Sequence, residues 1–196
     1  MATTNLIVDF LVIGITSLVW IAPILHYAMG REWLTVFDNL GVGQLPIVLA
    51  AVYVIGIPVS RVADDVTGLW NRRVRKKVFG EGQGDLYHQR LNRIVATSVS
   101  ASDYLGYRRS IVRVSRASGV NLAAGAILWM AVDLMRPGCV AWPWNHAIPL
   151  ACAIMSGVMM RAWHVVLKGY FLSVKDIYTQ LPRTSARRVR GPSGRR

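Results

Sequence analysis

The chain predicts an all-α membrane protein: four transmembrane helices in two hairpins, with a helical basic cytoplasmic insert between the hairpins and a disordered basic tail. Three observations carry that expectation. Of 196 residues, 53% are hydrophobic and 17% charged, and the apolar residues are gathered into long blocks instead of recurring on one face of many short elements. All 23 lysines and arginines lie beyond residue 30, twelve of them between Arg61 and Arg116. A net charge of +13 on so apolar a chain indicates basic loops against anionic lipid or a basic surface for nucleotide or nucleic acid. So much apolar sequence argues against a soluble nucleic-acid-binding domain.

The first span is LIVDFLVIGITSLVWIAPILHY, Leu6 to Tyr27. At 1.5 Å per residue it covers about 33 Å, enough for a hydrocarbon core of about 30 Å. Pro23 and Gly30 suit a helix that is ending. No positive n-region precedes it, and the run is longer than the apolar core of a signal peptide, so a retained span is expected. Residues 31–44, with Trp33, Val36, Phe37 and Leu40 among polar groups, fit an interfacial turn or short surface helix. The second span, Leu45 to Ser60, is interrupted by Pro58; it is either short or kinked, or continues through Val62, Val66 and Leu69 as a helix that leaves the membrane. Glycines 80, 82 and 84 mark a turn. Two helices follow, Leu86 to Val99 and Asp103 to Arg116. A third span runs from Val120 to Met135, and a fourth from Ala147 to Leu167 or beyond, joined by a proline-containing turn with Trp142 and Trp144. The tail from Thr184 is rich in Arg, Ser and Gly and is expected to be disordered until bound. The chain thus divides at residues 1–60, 61–117, 118–172 and 173–196. Cys139 and Cys152 form no disulfide framework, and Cys152 is expected as a buried thiol.

Basic residues set the orientation. Twelve lie between the second and third spans and seven from Lys175 onward, against one in each hairpin connection, Arg31 and Arg136. The positive-inside rule places both termini and the insert in the cytoplasm of a cell whose inner membrane holds the spans. Trp33, Trp142 and Trp144 then fall at the outer interface.

Ionisable groups are costly in hydrocarbon and point to function. Asn5, Asp9 and Thr16 fall within roughly 40° on one face of the first span, the face expected to line a pore. Arg161, His164 and Lys168 share a face of the fourth span, with Ala153 and Gly157 beside it as packing residues. Asp9 and Arg161 lie at similar depths and are expected to pair, unless Arg161 snorkels to headgroups instead. Asp133 sits at the outer end of the third span, and Asn121 is placed to bond between helices. Nothing resembles a catalytic site. The four histidines are scattered without metal-ligand spacing, and there is no nucleophile elbow or phosphate-binding Gly-Lys-Ser/Thr loop. His88 with Arg90 and Arg93 could form an anion site, but a solvated helix face accounts for them. No enzyme activity, cofactor or metal is expected.

The insert is longer than a connection requires. Arg72, Arg73, Arg75, Arg108, Arg109 and Arg113 are its candidate contacts to a nucleotide or oligonucleotide, to a cytoplasmic partner protein, or to lipid headgroups. One copy has little room for a transport path, so a homo-oligomer is expected. The function read from these features is an oligomeric channel or membrane-perturbing effector gated through its basic region by an anionic ligand or partner. The alternative is a membrane anchor that docks a cytoplasmic enzyme. The plan of two hairpins around a basic insert, with ADDVTGLWNRRVRKK and YLGYRRSIVRVSRASGVN abutting the membrane, resembles the small transmembrane effectors of bacterial antiviral defence systems. The resemblance implies a channel that depolarises or permeabilises the inner membrane on infection, controlled by a nucleotide second messenger or an oligonucleotide made by a partner enzyme; no functional residue is carried over from it.

Overall fold

The computed structural model describes residues 2–30, 32, 41–80, 84–136 and 144–181. These form α1 (Ala2–Met29), a 3₁₀ turn at Val42–Gln44, α2 (Leu45–Phe79), α3 (Gly84–Thr97), α4 (Val99–Met135) and α5 (Trp144–Gln180). All but α3 are long and apolar enough to cross a membrane, which fits a multi-pass membrane protein. The interfacial segment at 33–40, the Trp33 and Trp142 belt, Cys139 and the basic tail lie outside the described residues, as does the side chain of Trp144.

The second span does continue as a helix through Val62, Val66 and Leu69, and the fourth runs beyond Leu167; the departure from expectation is the unbroken α4. The 35 residues of α2 and the 37 of α4 and α5 reach about 52–56 Å, some 20 Å more than a hydrocarbon core. The surplus of all three carries the basic residues and lies at one end of the molecule, here termed the basic end. α2 continues because nothing stops it: Pro58 is exposed on its surface, and no further proline occurs before Gly80. That residue, at φ 91°, ends the helix with its N–H donating to the Lys76 carbonyl at 2.9 Å, a conformation favouring glycine. Between α3 and α4, Ser98 breaks the chain direction at φ −143° and its hydroxyl accepts from the Ala101 N–H at 3.3 Å, an N-cap. The expected helix over 103–116 and the third span are therefore one element. The divisions at 60, 117 and 172 all fall inside continuous helices.

α4 is the centre of the packing. It lies against α5 on one side and α1 on the other, α2 packs on α1, and α1 and α5 do not touch. The α1–α2 crossing is set by two reciprocal glycines. A Cβ on Gly14 would overlap the Val52 carbonyl, and one on Gly56 would overlap the Phe10 carbonyl. Small residues let the backbones approach where lipid provides no hydrophobic drive for helices to associate. Gly125 of α4 gives the same access to Val19 of α1. Against α5, the Ser156 hydroxyl donates to the Gly119 carbonyl at 2.8 Å. The expected packing pair on α5, Ala153 and Gly157, is instead exposed; the face that meets α4 is that of Cys152, Ser156 and Met160, one step around the helix. Cys152 is buried and free.

At the basic end the packing changes character. Val74 and Phe79 of α2, Ile94 of α3, Leu105 and Val112 of α4, and Trp163, Leu167, Phe171 and Val174 of α5 form one buried cluster. The edges of Phe79 and Tyr87 meet Phe171 at 6.0 and 5.5 Å between ring centroids. Here α2 and α5, which α1 and α4 separate elsewhere, come together.

Candidate functional site: an arginine-lined cavity

α1 accompanies α2 and α4 only as far as Leu6 and Phe10, whereas those two helices continue. Below this point a cavity of about 690 Å³ lies between them. Its α2 wall is Arg61, Asp64, Asn71 and Arg75, which recur at helical spacing on one face. Its α4 wall is Arg109, Arg113 and Arg116, at i, i+4 and i+7. Leu6, Phe10 and Ile57 line the end nearer the spans, and Tyr87 and His88 of α3 line the other.

Two ion pairs tie the walls to their surroundings. The Asp9 carboxylate, 4% exposed, accepts from Arg113 at 2.9 Å and from the Ser110 hydroxyl. Asp64 pairs with Arg116, which is 5% exposed. Counted along their helices from the opposite end, Asp9, Asp64, Arg113 and Arg116 all lie about 28–33 Å deep, the thickness of a hydrocarbon core. Trp70, 55% exposed, meets the buried Trp163 edge to face close to that level, with 6.3 Å between ring centroids. The charged layer thus lies at the depth expected of a membrane interface.

Charge on the walls is not balanced. Among the described residues Arg61, Arg75 and Arg109 form no ion pair, although the Arg75 guanidinium lies 5.8 Å from the Tyr87 ring centre. Arg116 Nε and Asn71 Oδ1 are buried and make no hydrogen bond, an arrangement costing about 1–3 kcal/mol per group where nothing compensates. Guanidiniums lining a cleft with low-dielectric walls focus positive potential into it.

Of the residues singled out from sequence, the fold gathers Arg75, Arg109 and Arg113 at this cavity. Arg72 and Arg73 are exposed on the far side of α2. Arg108 turns away to Tyr104, 5.6 Å from its ring centre. His88 does line the cavity, but Arg90 and Arg93 lie over Tyr178, at 5.2 and 5.6 Å, and help pack α3 against α5. The expected Asp9–Arg161 pair does not form. Both residues have the expected depth, but α4 stands between α1 and α5, and Arg161 is exposed beside His164 and Lys168 on the outer face of α5. Arg113 takes its place.

The polar face of α1 is likewise turned inward, onto α4, rather than along a pore. Asn121, 2% exposed, donates to the Thr16 hydroxyl at 2.9 Å and to the Ile13 carbonyl at 3.1 Å, and accepts from Trp20 Nε1 at 3.2 Å. One amide therefore binds three groups of α1. Asn5 lies in α1, its side chain outside the described residues. Asp133 is half-buried near the end of α4.

Sequence reasoning did not single out Arg61, Asp64 or Asn71. The signal was present: Gly56, Ser60, Ala63 and Thr67, all buried, recur every three or four residues and identify the inward face of α2. Among the described residues no cluster of His, Cys, Asp and Glu could hold a metal ion. Comparison of the chain with family models, curated proteins and solved structures gives no match, so the arrangement of its own residues carries the functional argument.

Proposed function

We propose that this protein is a channel-type or membrane-perturbing effector of the inner membrane, controlled by an anionic ligand that enters the arginine-lined cavity from the cytoplasm. The basic end faces the cytoplasm in this reading, as the positive-inside rule requires. One observation carries it: Arg113 lines the cavity and also holds Asp9 of α1. An anion that competes for Arg113 weakens the α1–α4 seam, so ligand binding and the arrangement of the spans share a residue. Because α4 occupies the polar face of α1, the conducting path lies between copies of the chain, and a homo-oligomer is part of the proposal. A role in antiviral defence extends the same reading from the whole-chain resemblance. The test is planar-bilayer recording of the purified protein with and without nucleotides. Current that responds to ligand supports the proposal; silence in both conditions overturns it.

The second reading, a membrane anchor for a cytoplasmic enzyme, is favoured by a different observation. Arg72, Arg73, Lys76 and Lys77 are exposed together on α2, outside the cavity, a surface suited to an acidic partner protein. Reversing Arg72 and Arg73 to Glu abolishes partner capture if the protein is a scaffold. It leaves ligand-dependent current in place if the protein is an effector.

A further inference from the structure

We propose that the cavity is a phosphate-ester site in which guanidiniums of α2 and α4 hold the phosphate of a ligand, while the rest of the ligand lies against one of the two less polar ends. The inference rests on the cavity being the ligand site of the effector, but not on the effector conducting ions.

The charge count selects the ligand. Five arginines line the walls and two carboxylates, Asp9 and Asp64, engage Arg113 and Arg116. That leaves Arg61, Arg75 and Arg109 without an ion pair among the described residues. Arg61 and Arg75 lie 14 residues, about 21 Å, apart along α2, so the guanidiniums are spread along the cavity and match a ligand with several anionic oxygens, such as a chain of phosphates, better than a single carboxylate. The planar fork of arginine suits phosphate oxygens in pairs. Size argues further. A volume of about 690 Å³ far exceeds what an inorganic phosphate fills and falls in the range of sites for organic ligands, about 300–1,000 Å³.

The ends describe the remainder of the molecule. Towards the spans, Leu6 and Phe10 stand beside the charged layer and Ile57 lies about 18 Å along α2 from Leu45, at the depth of lipid chains, an apolar surface suited to a phospholipid whose headgroup lies among the arginines. At the other end Tyr87 and His88 stand with Arg75 over the Tyr87 ring, suited to the flat base of a soluble nucleotide. Both sources present the same phosphate ester to the same guanidiniums.

The experiment uses the full chain in lipid nanodiscs. In one arm, nanodiscs of neutral phosphatidylcholine are titrated with a fluorescent N-methylanthraniloyl nucleoside triphosphate, with inorganic pyrophosphate as competitor. In the other, native mass spectrometry counts the phosphatidylglycerol retained from mixed nanodiscs. Binding is expected in at least one arm, and the arm that responds identifies the source. Arg61→Gln and Arg109→Gln each weaken it about tenfold or more, the loss of one charge-assisted contact. Arg72→Gln, outside the cavity, leaves it unchanged. Among the described residues neither tested arginine has an ion-pair partner to orphan, so both variants keep the wild-type melting temperature. Arg61→Lys, which keeps the charge and loses the fork, gives an intermediate affinity. Absence of binding in both arms, wild-type binding by Arg61→Gln and Arg109→Gln, or an equal loss in Arg72→Gln overturns the inference. Binding without current leaves the site standing and removes the channel; current without binding does the reverse.

Discussion

The spanning half and the basic half are built from the same helices by different means. In the spanning half the buried cluster is Ile13, Ala63 and Ala117 with Phe10, Val59 and Val120 against it. Its larger apolar side chains, Ile47, Val54, Ile127, Leu134 and Leu150 among them, point outward. Cohesion there comes from close backbone approach at Gly14, Gly56 and Gly125 and from Asn121 bonding three groups of α1. In the basic half the buried cluster is built of large side chains, Ile94, Trp163, Leu167 and Phe171 among them, although Leu69, Trp70, Val99 and Tyr107 are exposed there too, and the cations lie outside or around the cavity. The difference follows from the solvent. Lipid is as apolar as leucine, so burying leucine among helices there gains little and packing rests on shape and polar bonds. Where helices meet water, burial of each large apolar side chain contributes about 1.5–3 kcal/mol. The charged layer and the Trp70–Trp163 pair lie close to the level where the two kinds of packing meet, and the cavity adjoins that level.

The comparison can be broken most forcefully in the basic half. Phe171 is 3% exposed and meets Phe79, Tyr87 and Tyr170, so Phe171→Ala is expected to cost about 3–5 kcal/mol. Hydrogen exchange should show protection lost in α3 and in the C-terminal parts of α2 and α5 while the spans keep theirs. Uniform loss throughout would mean that the halves are one cooperative unit. In the spanning half the corresponding change adds atoms. Gly14→Val places a side chain against the Val52 backbone, which cannot rotate away, and the helices must separate at a cost of about 1–3 kcal/mol. Thermal unfolding in detergent, with disulfide trapping of engineered α1–α2 cysteine pairs, reads both the cost and the separation.

At the join, Asp9→Asn retains a group able to bond Ser110 but removes the charge facing Arg113. That guanidinium is 24% exposed by side-chain area, so water relieves part of the loss and about 1–2 kcal/mol is expected, less than for a fully buried pair. Asn121→Ala, deeper in the spans, deletes three hydrogen bonds to α1 and is expected to cost about 0.6–2 kcal/mol. A cost near zero would assign the α1–α4 seam to shape alone.

How much of this was legible follows from what a sequence encodes. Hydropathy identifies the spans, because twenty apolar residues in succession have few other uses. It does not show that α2 and α4 continue unbroken beyond them, since a helix need not end where the solvent changes and Pro58 sits harmlessly on an exposed face. Charge identified Arg75, Arg109 and Arg113, but recognising Arg61 and Asp64 as their neighbours requires the face of α2 that meets the bundle, recorded only in the spacing of Gly56, Ser60, Ala63 and Thr67. Position along a helix and angle about its own axis can both be read from residue number. Which helix stands next to which cannot, and the Asp9–Arg161 expectation failed on that point.

That failure gives the smallest effect and the sharpest discrimination. Arg161 is exposed on α5, so Arg161→Gln should change stability by less than about 0.5 kcal/mol. Combined with Asp9→Asn it should be additive, because the two sites share no contact. Arg113→Gln combined with Asp9→Asn should be strongly non-additive, since either change alone breaks the same pair. Thermal unfolding of the five variants and the wild type closes both cycles. Coupling between Asp9 and Arg161 would move α5 against α1 and displace α4 from the centre of the packing. With it would go the α2–α4 gap that forms the cavity. A neutral Arg161→Gln beside a costly Asp9→Asn instead keeps α4 between its two neighbours, and with it the guanidinium wall that α4 presents to the cavity.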